Sequence, residues 1–164
     1  MSKIVVLGAG QWGTTMAQVL CDAGNHVLMW GRSQELVDEV NEKHTNSKYL
    51  DESILPVGLK ATTSLTDAFE YSNIYVIAIP AQALRENLKI WKPLFQPNAL
   101  IISTLKGIEV STMSRMTEII SEVLETQNIA IITGPNLANE LVLRQPAGAV
   151  AAAPTIAIAE KVQQ

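Results

Sequence analysis

Short apolar runs rich in β-branched residues alternate along this chain with longer stretches whose apolar side chains recur at helical spacing. The first run, residues 4–7, predicts a strand. Residues 11–23 predict a helix with Met16, Ala17, Val19 and Leu20 toward a core. Gly24 and Asn25, which tolerate positive φ, close that helix. Residues 26–30 read as a second strand. Ser33 reads as the N-cap of a helix to about residue 43, with Leu36, Val37 and Val40 on its apolar face. Residues 44–60 lose the pattern, are polar, and contain Pro56 and Gly58; a long surface connection is expected. The pattern then resumes. Strands are predicted at 61–63, 74–79, 99–102, 129–132 and 147–152, and helices from the Ser64 cap through 69, at about 83–91, about 111–125, and following Pro135 to about 143. The last residues begin one more helix.

This alternation, with several strands apolar throughout, predicts an α/β fold: a doubly wound, mostly parallel sheet with helices on both faces. Right-handed crossovers bring the strand C-terminal ends to one edge, and ligands bind there, near the point where strand order reverses. The loops to inspect are therefore 8–13, 31–33, 80–82, 103–107 and 133–136.

Composition narrows the function classes. The chain has 164 residues, 48% hydrophobic and 17% charged, which favours one packed domain over disorder or two domains. A net charge of −4 with no basic block argues against nucleic acid as a partner. Cys21 is the single cysteine, so no intramolecular disulfide forms and a reducing, cytoplasmic setting is expected. The N-terminal apolar run is too short for a signal peptide. The weakly polar stretch 147–159 is broken by Gly148 and Pro154, and a membrane span takes about 20 apolar residues. His26 and His44 lack metal-ligand spacing, so no metal is expected. Cys21, Met16, Met29, Met113 and Met116 read as core or helix filler.

Four features carry candidate chemistry. The first strand runs into Gly8-Ala9-Gly10-Gln11-Trp12-Gly13 and then a helix. In that context Gly8 permits the tight turn, Gly10 lets the backbone approach a pyrophosphate, and Gly13 allows close helix–strand packing. The helix N-terminus adds free N–H groups and a positive dipole end. Trp12 either covers the ligand or packs against the next loop. At the end of the second strand, the acid that would accept from a ribose 2′-OH is missing: Gly31 stands there, followed by Arg32 and Ser33. A guanidinium and a hydroxyl suit a 2′-phosphate, so NADP(H) is expected as the preferred cofactor and NAD(H) as the second. Lys106 leaves a buried strand at the ligand edge, where it can neutralise an anion or stabilise charge on a carbonyl oxygen. Gly134-Pro135-Asn136 marks a strand-to-helix turn at the same edge.

The glycine loop with Trp12, Leu-Lys-Gly-Ile-Glu at 105–109, and Thr-Gly-Pro-Asn-Leu-Ala-Asn-Glu at 133–140 together resemble bacterial-type NAD(P)-dependent glycerol-3-phosphate dehydrogenase. Tyr49-Leu50, Leu55-Pro56, the run 60–64 and Ile79-Pro80 are similar to that family too. The resemblance implies a Rossmann domain over 1–164. It places Gln11, Trp12, Arg32, Ser33, Tyr49, Pro80 and Ala138 at the cofactor, Lys106 at both cofactor and substrate, and Gly134 and Asn136 at the substrate. It implies a small phosphate substrate, sn-glycerol 3-phosphate or dihydroxyacetone phosphate, feeding glycerophospholipid synthesis, and it allows a homodimer. Position 136 is often Ser in that family. Its members are about twice this length, with a helical second domain that supplies a proton-transferring lysine and the phosphate clamp; this chain then corresponds to the cofactor-binding half. Another two-domain reductase, of hydroxyacid or ketopantoate type, and a non-catalytic NADPH-binding module remain as alternatives.

Overall fold

The computed structural model describes residues 1–163; residue 164, the last of the expected domain, lies outside the described residues. Seven strands form one sheet in the order β3-β2-β1-β4-β5-β6-β7. They are β1 (Lys3–Leu7), β2 (His26–Trp30), β3 (Lys60–Thr62), β4 (Ile74–Ile77), β5 (Leu100–Ser103), β6 (Ile129–Thr133) and β7 (Val150–Ala152). The helices are α1 (Gln11–Asp22), α2 (Gln34–Lys43), α3 (Ser47–Leu50), α4 (Leu65–Tyr71), α5 (Leu84–Trp91), α6 (Met116–Leu124), α7 (Ala138–Val142) and α8 (Ile156–Gln163). β1 pairs in parallel with both β2 and β4, so the chain reverses its direction of travel across the sheet at β1. This is the doubly wound, Rossmann-type topology, and the crevice at the reversal is where such sheets bind ligands.

Period-two alternation splits the core between the two faces. Val5 and Leu7 join Phe69, Tyr75, Leu84, Leu88, Trp91, Ile119 and Ile120 on one side, with the Phe69, Tyr75 and Phe95 rings 4.9–5.2 Å apart. Ile4 and Val6 join Ala17, Val37, Val40, Leu50, Leu55 and Leu59 on the other. Each fully buried Val, Leu, Ile or Phe among them stabilises by about 1.5–3 kcal/mol. The α2 cap is as expected, with the Ser33 hydroxyl accepting from Leu36 N–H at 3.3 Å.

Several expectations are corrected. Residues 44–60 are not merely a surface connection. They contain α3, and Asn46, Leu50, Leu55 and Leu59 are buried; the apolar anchors are widely spaced, so no periodicity reveals them. The helix expected from 111 begins at Met116. Before it, Ile108 bridges Arg115 in antiparallel fashion, and Met113, at φ 61°, donates to the Glu109 carbonyl at 2.8 Å. Arg115 N–H then donates to the Glu118 carboxylate at 2.8 Å, starting the helix there. Met113 is accordingly exposed rather than filler, whereas Met16, Met29 and Met116 are buried. Cys21 is only partly buried. The last strand begins at Val150, not 147, and runs antiparallel to β6, so its first residue sits at the ligand edge opposite Thr133.

Candidate functional site

The glycine loop is built by contacts that exclude side chains. Gly8 sits at φ 129°, and a Cβ there would lie 2.3 Å from the Ala78 carbonyl oxygen. A Cβ on Gly13 would lie 2.0 Å from the Gly8 carbonyl oxygen. These two glycines are demanded by packing against β4 and within the loop itself. Gly10 differs: nothing lies within 4 Å of its Cβ position, so that flank faces open space. Gly10 is also the N-cap residue of α1, whose first turn carries no acidic side chain. Its free N–H groups and dipole end therefore remain available to an anion. Gly31 has a packing reason of its own. A Cβ there would come within 2.7 Å of Ala9 Cβ, which rules out an acidic side chain at that place without movement of the loop.

Beside this loop opens a cleft of about 440 Å³, whose lining includes Gly8, Gly10, Arg32, Ser33, Tyr49 and Pro80. Arg32 is exposed and forms no ion pair among the described residues. Lys48 and Asn87 also line the cleft, and neither stands out in the sequence. The Lys48 ammonium lies 5.3 Å from the centre of the Tyr49 ring, a second cation in the same cleft as Arg32.

The remaining expected residues form a neighbouring cluster rather than lining that cleft. Lys106 Nζ lies 3.5 Å from the Gly134 carbonyl oxygen and 5.8 Å from the Trp12 ring centre. Trp12 thus stands beside the loop that carries Lys106. Asn136 folds over Gly134; a Cβ on Gly134 would meet Asn136 Nδ2 at 2.8 Å and the Gly148 carbonyl oxygen at 2.5 Å. Gln11 Nε2 donates to Asn139 Oδ1 at 2.8 Å, one residue beyond Ala138. Farther along, Gln18 Nε2 donates to the Val142 carbonyl at 3.0 Å, fastening α7 onto α1. Three loops that are remote in sequence therefore meet around one ammonium.

The loop carrying Lys106 is held from below by a network the sequence did not announce. Arg85 Nε donates to Glu109 Oε1 at 2.9 Å and its Nη1 to Glu122 Oε1 at 2.8 Å. The Glu109 side chain is only 8% exposed. Gln82 Nε2 donates to the Ile108 carbonyl at 2.8 Å, and Val110 N–H donates to Gln82 Oε1 at 3.0 Å. The Arg85 guanidinium holds both carboxyls below the ordinary glutamate range, helped at Glu109 by the Thr112 hydroxyl. A carboxyl depressed on folding contributes stability above its unfolded pKa, and that contribution is lost as pH falls through the folded pKa. Arg85→Met is therefore expected to lower the Tm by several degrees near neutral pH, with the gap closing below about pH 4. Thermal unfolding across pH checks it; a gap independent of pH removes the ion pairs from the explanation.

Among the described residues, no group of three or more His, Cys, Asp or Glu is arranged to hold a metal ion, and no helix is long and apolar enough to cross a membrane. Comparison with known proteins gives a consistent picture. Residues 3–159 match the family model described as NAD-dependent glycerol-3-phosphate dehydrogenase N-terminus. Glycerol-3-phosphate dehydrogenase (NAD(P)+) of Corynebacterium urealyticum is 46% identical over 154 residues, covering 93% of this chain and 46% of that protein. The protein of the same name from Thermobifida fusca is 47% identical over 155 residues, with 93% and 46% coverage. The crystal structure of glycerol-3-phosphate dehydrogenase from Coxiella burnetii superposes with a TM-score of 0.87 at 29% identity, covering 98% of this chain and 49% of that one. The chain thus spans about half the length of the relatives it matches.

Proposed function

This chain belongs to the family of N-terminal domains of NAD-dependent glycerol-3-phosphate dehydrogenases, and from that premise we propose that it is the dinucleotide-binding domain of an enzyme interconverting sn-glycerol 3-phosphate and dihydroxyacetone phosphate. The observation that carries the reading is the meeting of Trp12, Lys106 and Gly134 beside an open glycine loop. One element supplies a diphosphate cradle and the other a cation placed for an anionic or developing negative oxygen.

The residues present fit a dinucleotide. Gly10 leaves room for a diphosphate, Arg32 and Ser33 offer donors at the adenosine end, and Tyr49 and Pro80 wall the cleft. A dinucleotide held there would supply hydride-transfer chemistry at the substrate carbon. Trp12 and Ala138 would hold its nicotinamide end, next to the Lys106 cluster. Lys106 donates to the substrate oxygen and holds its negative charge, while Gly134 and Asn136 shape the wall beside it. The domain comprises residues 1–164, and a second domain completes the substrate site. A cytoplasmic enzyme supplying the glycerol phosphate backbone of phospholipids follows from the same reading.

The test is the full-length protein with NADPH or NADH and dihydroxyacetone phosphate, followed by loss of reduced-cofactor absorbance. Turnover of that ketone supports the reading. Turnover of ketopantoate or a 2-oxoacid instead, or cofactor binding with no turnover of any ketone, overturns it.

Cofactor preference gives a further expectation. Arg32→Ala is expected to weaken NADPH by roughly 10- to 150-fold, the value of one charge-assisted hydrogen bond of about 1.5–3 kcal/mol, with NADH nearly unchanged. Calorimetric titration of both cofactors decides it. Equal affinities for NADPH and NADH, unmoved by the substitution, remove Arg32 from phosphate recognition.

A further inference from the structure

Asn46 is fully buried beneath the glycine loop, in a stretch to which the functional reading assigns no role before Tyr49. Its Nδ2 donates to the Ala9 carbonyl at 3.2 Å and to Thr14 Oγ1 at 2.8 Å, so one amide proton is used on that loop and the other on the first turn of α1. The Thr14 hydroxyl donates to the same Ala9 carbonyl at 3.3 Å. Asn46 Oδ1, by contrast, is buried with no partner. A buried unpaired acceptor is destabilising, so stability alone does not account for an amide here. An apolar residue of similar size avoids that cost but loses the two donated bonds.

We propose that Asn46 is a positioning residue that aims the Gly10 N–H into the cleft by holding the Ala9 carbonyl inward. A trans peptide is planar, and its C=O and the following N–H point in opposite directions. Fixing the Ala9 oxygen toward Asn46 and Thr14 therefore turns the Gly10 N–H the other way, away from both, and among the described residues that N–H has no hydrogen-bond partner. The Ala9 side chain is pinned as well, against Gly31, which leaves this peptide little freedom to rotate. Asn46 is itself anchored. Its carbonyl accepts from Tyr49 and Leu50 N–H at 3.1 and 2.9 Å. Next to it, Glu39 Oε1 accepts from Ser47 N–H at 2.7 Å and from the Thr45 hydroxyl at 2.8 Å, tying this turn to α2. The peptide before the helix is thus set before any ligand arrives, and a diphosphate meets a donor already oriented.

The inference rests on reading the glycine loop as a diphosphate cradle, and the two are separable. The probes are NADPH, which carries a diphosphate, and 2′-AMP, which carries the adenosine phosphate end alone. Both are measured on the full-length protein, by calorimetry and ligand-observed NMR. Asn46→Ala is expected to weaken NADPH about tenfold or more and to leave 2′-AMP unchanged. Asn46→Ser, which keeps one hydroxyl donor, is expected to fall between; it decides the matter by the same criterion where the alanine variant does not fold. Unchanged NADPH affinity overturns the inference. So does equal weakening of both probes, which marks a merely structural role. Failure of the wild-type protein to bind NADPH overturns the reading of the loop itself.

Discussion

Lys106→Ala is expected to lower kcat/KM of the full-length protein by about 10²- to 10³-fold, the usual cost of removing one positioned donor to a developing oxyanion. The loss should fall mainly on kcat, because a charge that grows in the transition state is held more strongly there than in the ground state. The fold should survive. The loop that carries Lys106 does not depend on its ammonium, which only grazes the Gly134 carbonyl at 3.5 Å and faces the Trp12 ring. It depends on Gln82, which bonds both Ile108 and Val110, and on the Arg85 grip on Glu109. An unchanged Tm with collapsed turnover is therefore the expected pair of results. Steady-state kinetics alongside thermal unfolding checks it, and near wild-type kcat/KM returns Lys106 to the status of a solvated loop lysine.

The parts of this architecture that were legible in the sequence are those governed by local rules. β2 and α2 occupy the expected residues because an apolar run, a Ser cap and an apolar helical face are each recorded within a few positions. Gly8 and Gly13 were legible because a strand–turn–helix with no room for Cβ leaves a fixed spacing. What escaped was set by contacts distant in sequence. Leu50, Leu55 and Leu59 are buried against strands and helices that the polar residues around them give no hint of. The delayed start of α6 is a nearer effect: the Ile108–Arg115 bridge and the Arg115 N–H bond to Glu118 set it, and neither leaves a mark on the helical spacing. Asn46 reads as an ordinary loop residue until Ala9, 37 residues earlier, is seen to be its partner. The antiparallel course of β7 depends on its pairing with β6, which a three-residue strand cannot encode by itself. The missing acid after β2 is legible in the sequence, but the close approach of Ala9 that leaves no room for a Cβ at Gly31 is visible only in the fold.

Tested by itself, this 164-residue chain is expected to bind NADPH yet turn over dihydroxyacetone phosphate at least about a thousandfold more slowly than the full-length protein. Binding rests on parts within the chain: an open helix N-terminus at Gly10, a cleft of about 440 Å³, and Arg32 and Ser33 at its end. Turnover needs more than these. Effective molarities of about 10⁵–10⁸ M arise only when the ketone is held against the nicotinamide. In the described residues the substrate side offers the exposed Lys106 ammonium beside Gly134 and Asn136, open to water on its outer side. A phosphorylated three-carbon ketone anchored at one end in this way is free to swing, and water keeps the dielectric around Lys106 high, which weakens its hold on a forming oxyanion. Around α7 and β7, Leu137, Leu143, Val150 and Ile156 are each more than 60% exposed. An apolar surface of this kind is expected to make the isolated chain self-associate at high concentration. The two chains are compared under identical cofactor and ketone concentrations, with NADPH binding to each measured by calorimetry. If the 164-residue chain turns over within tenfold of the full-length rate, the second domain has no essential part in the chemistry, and Lys106 with Asn136 suffices to hold the substrate.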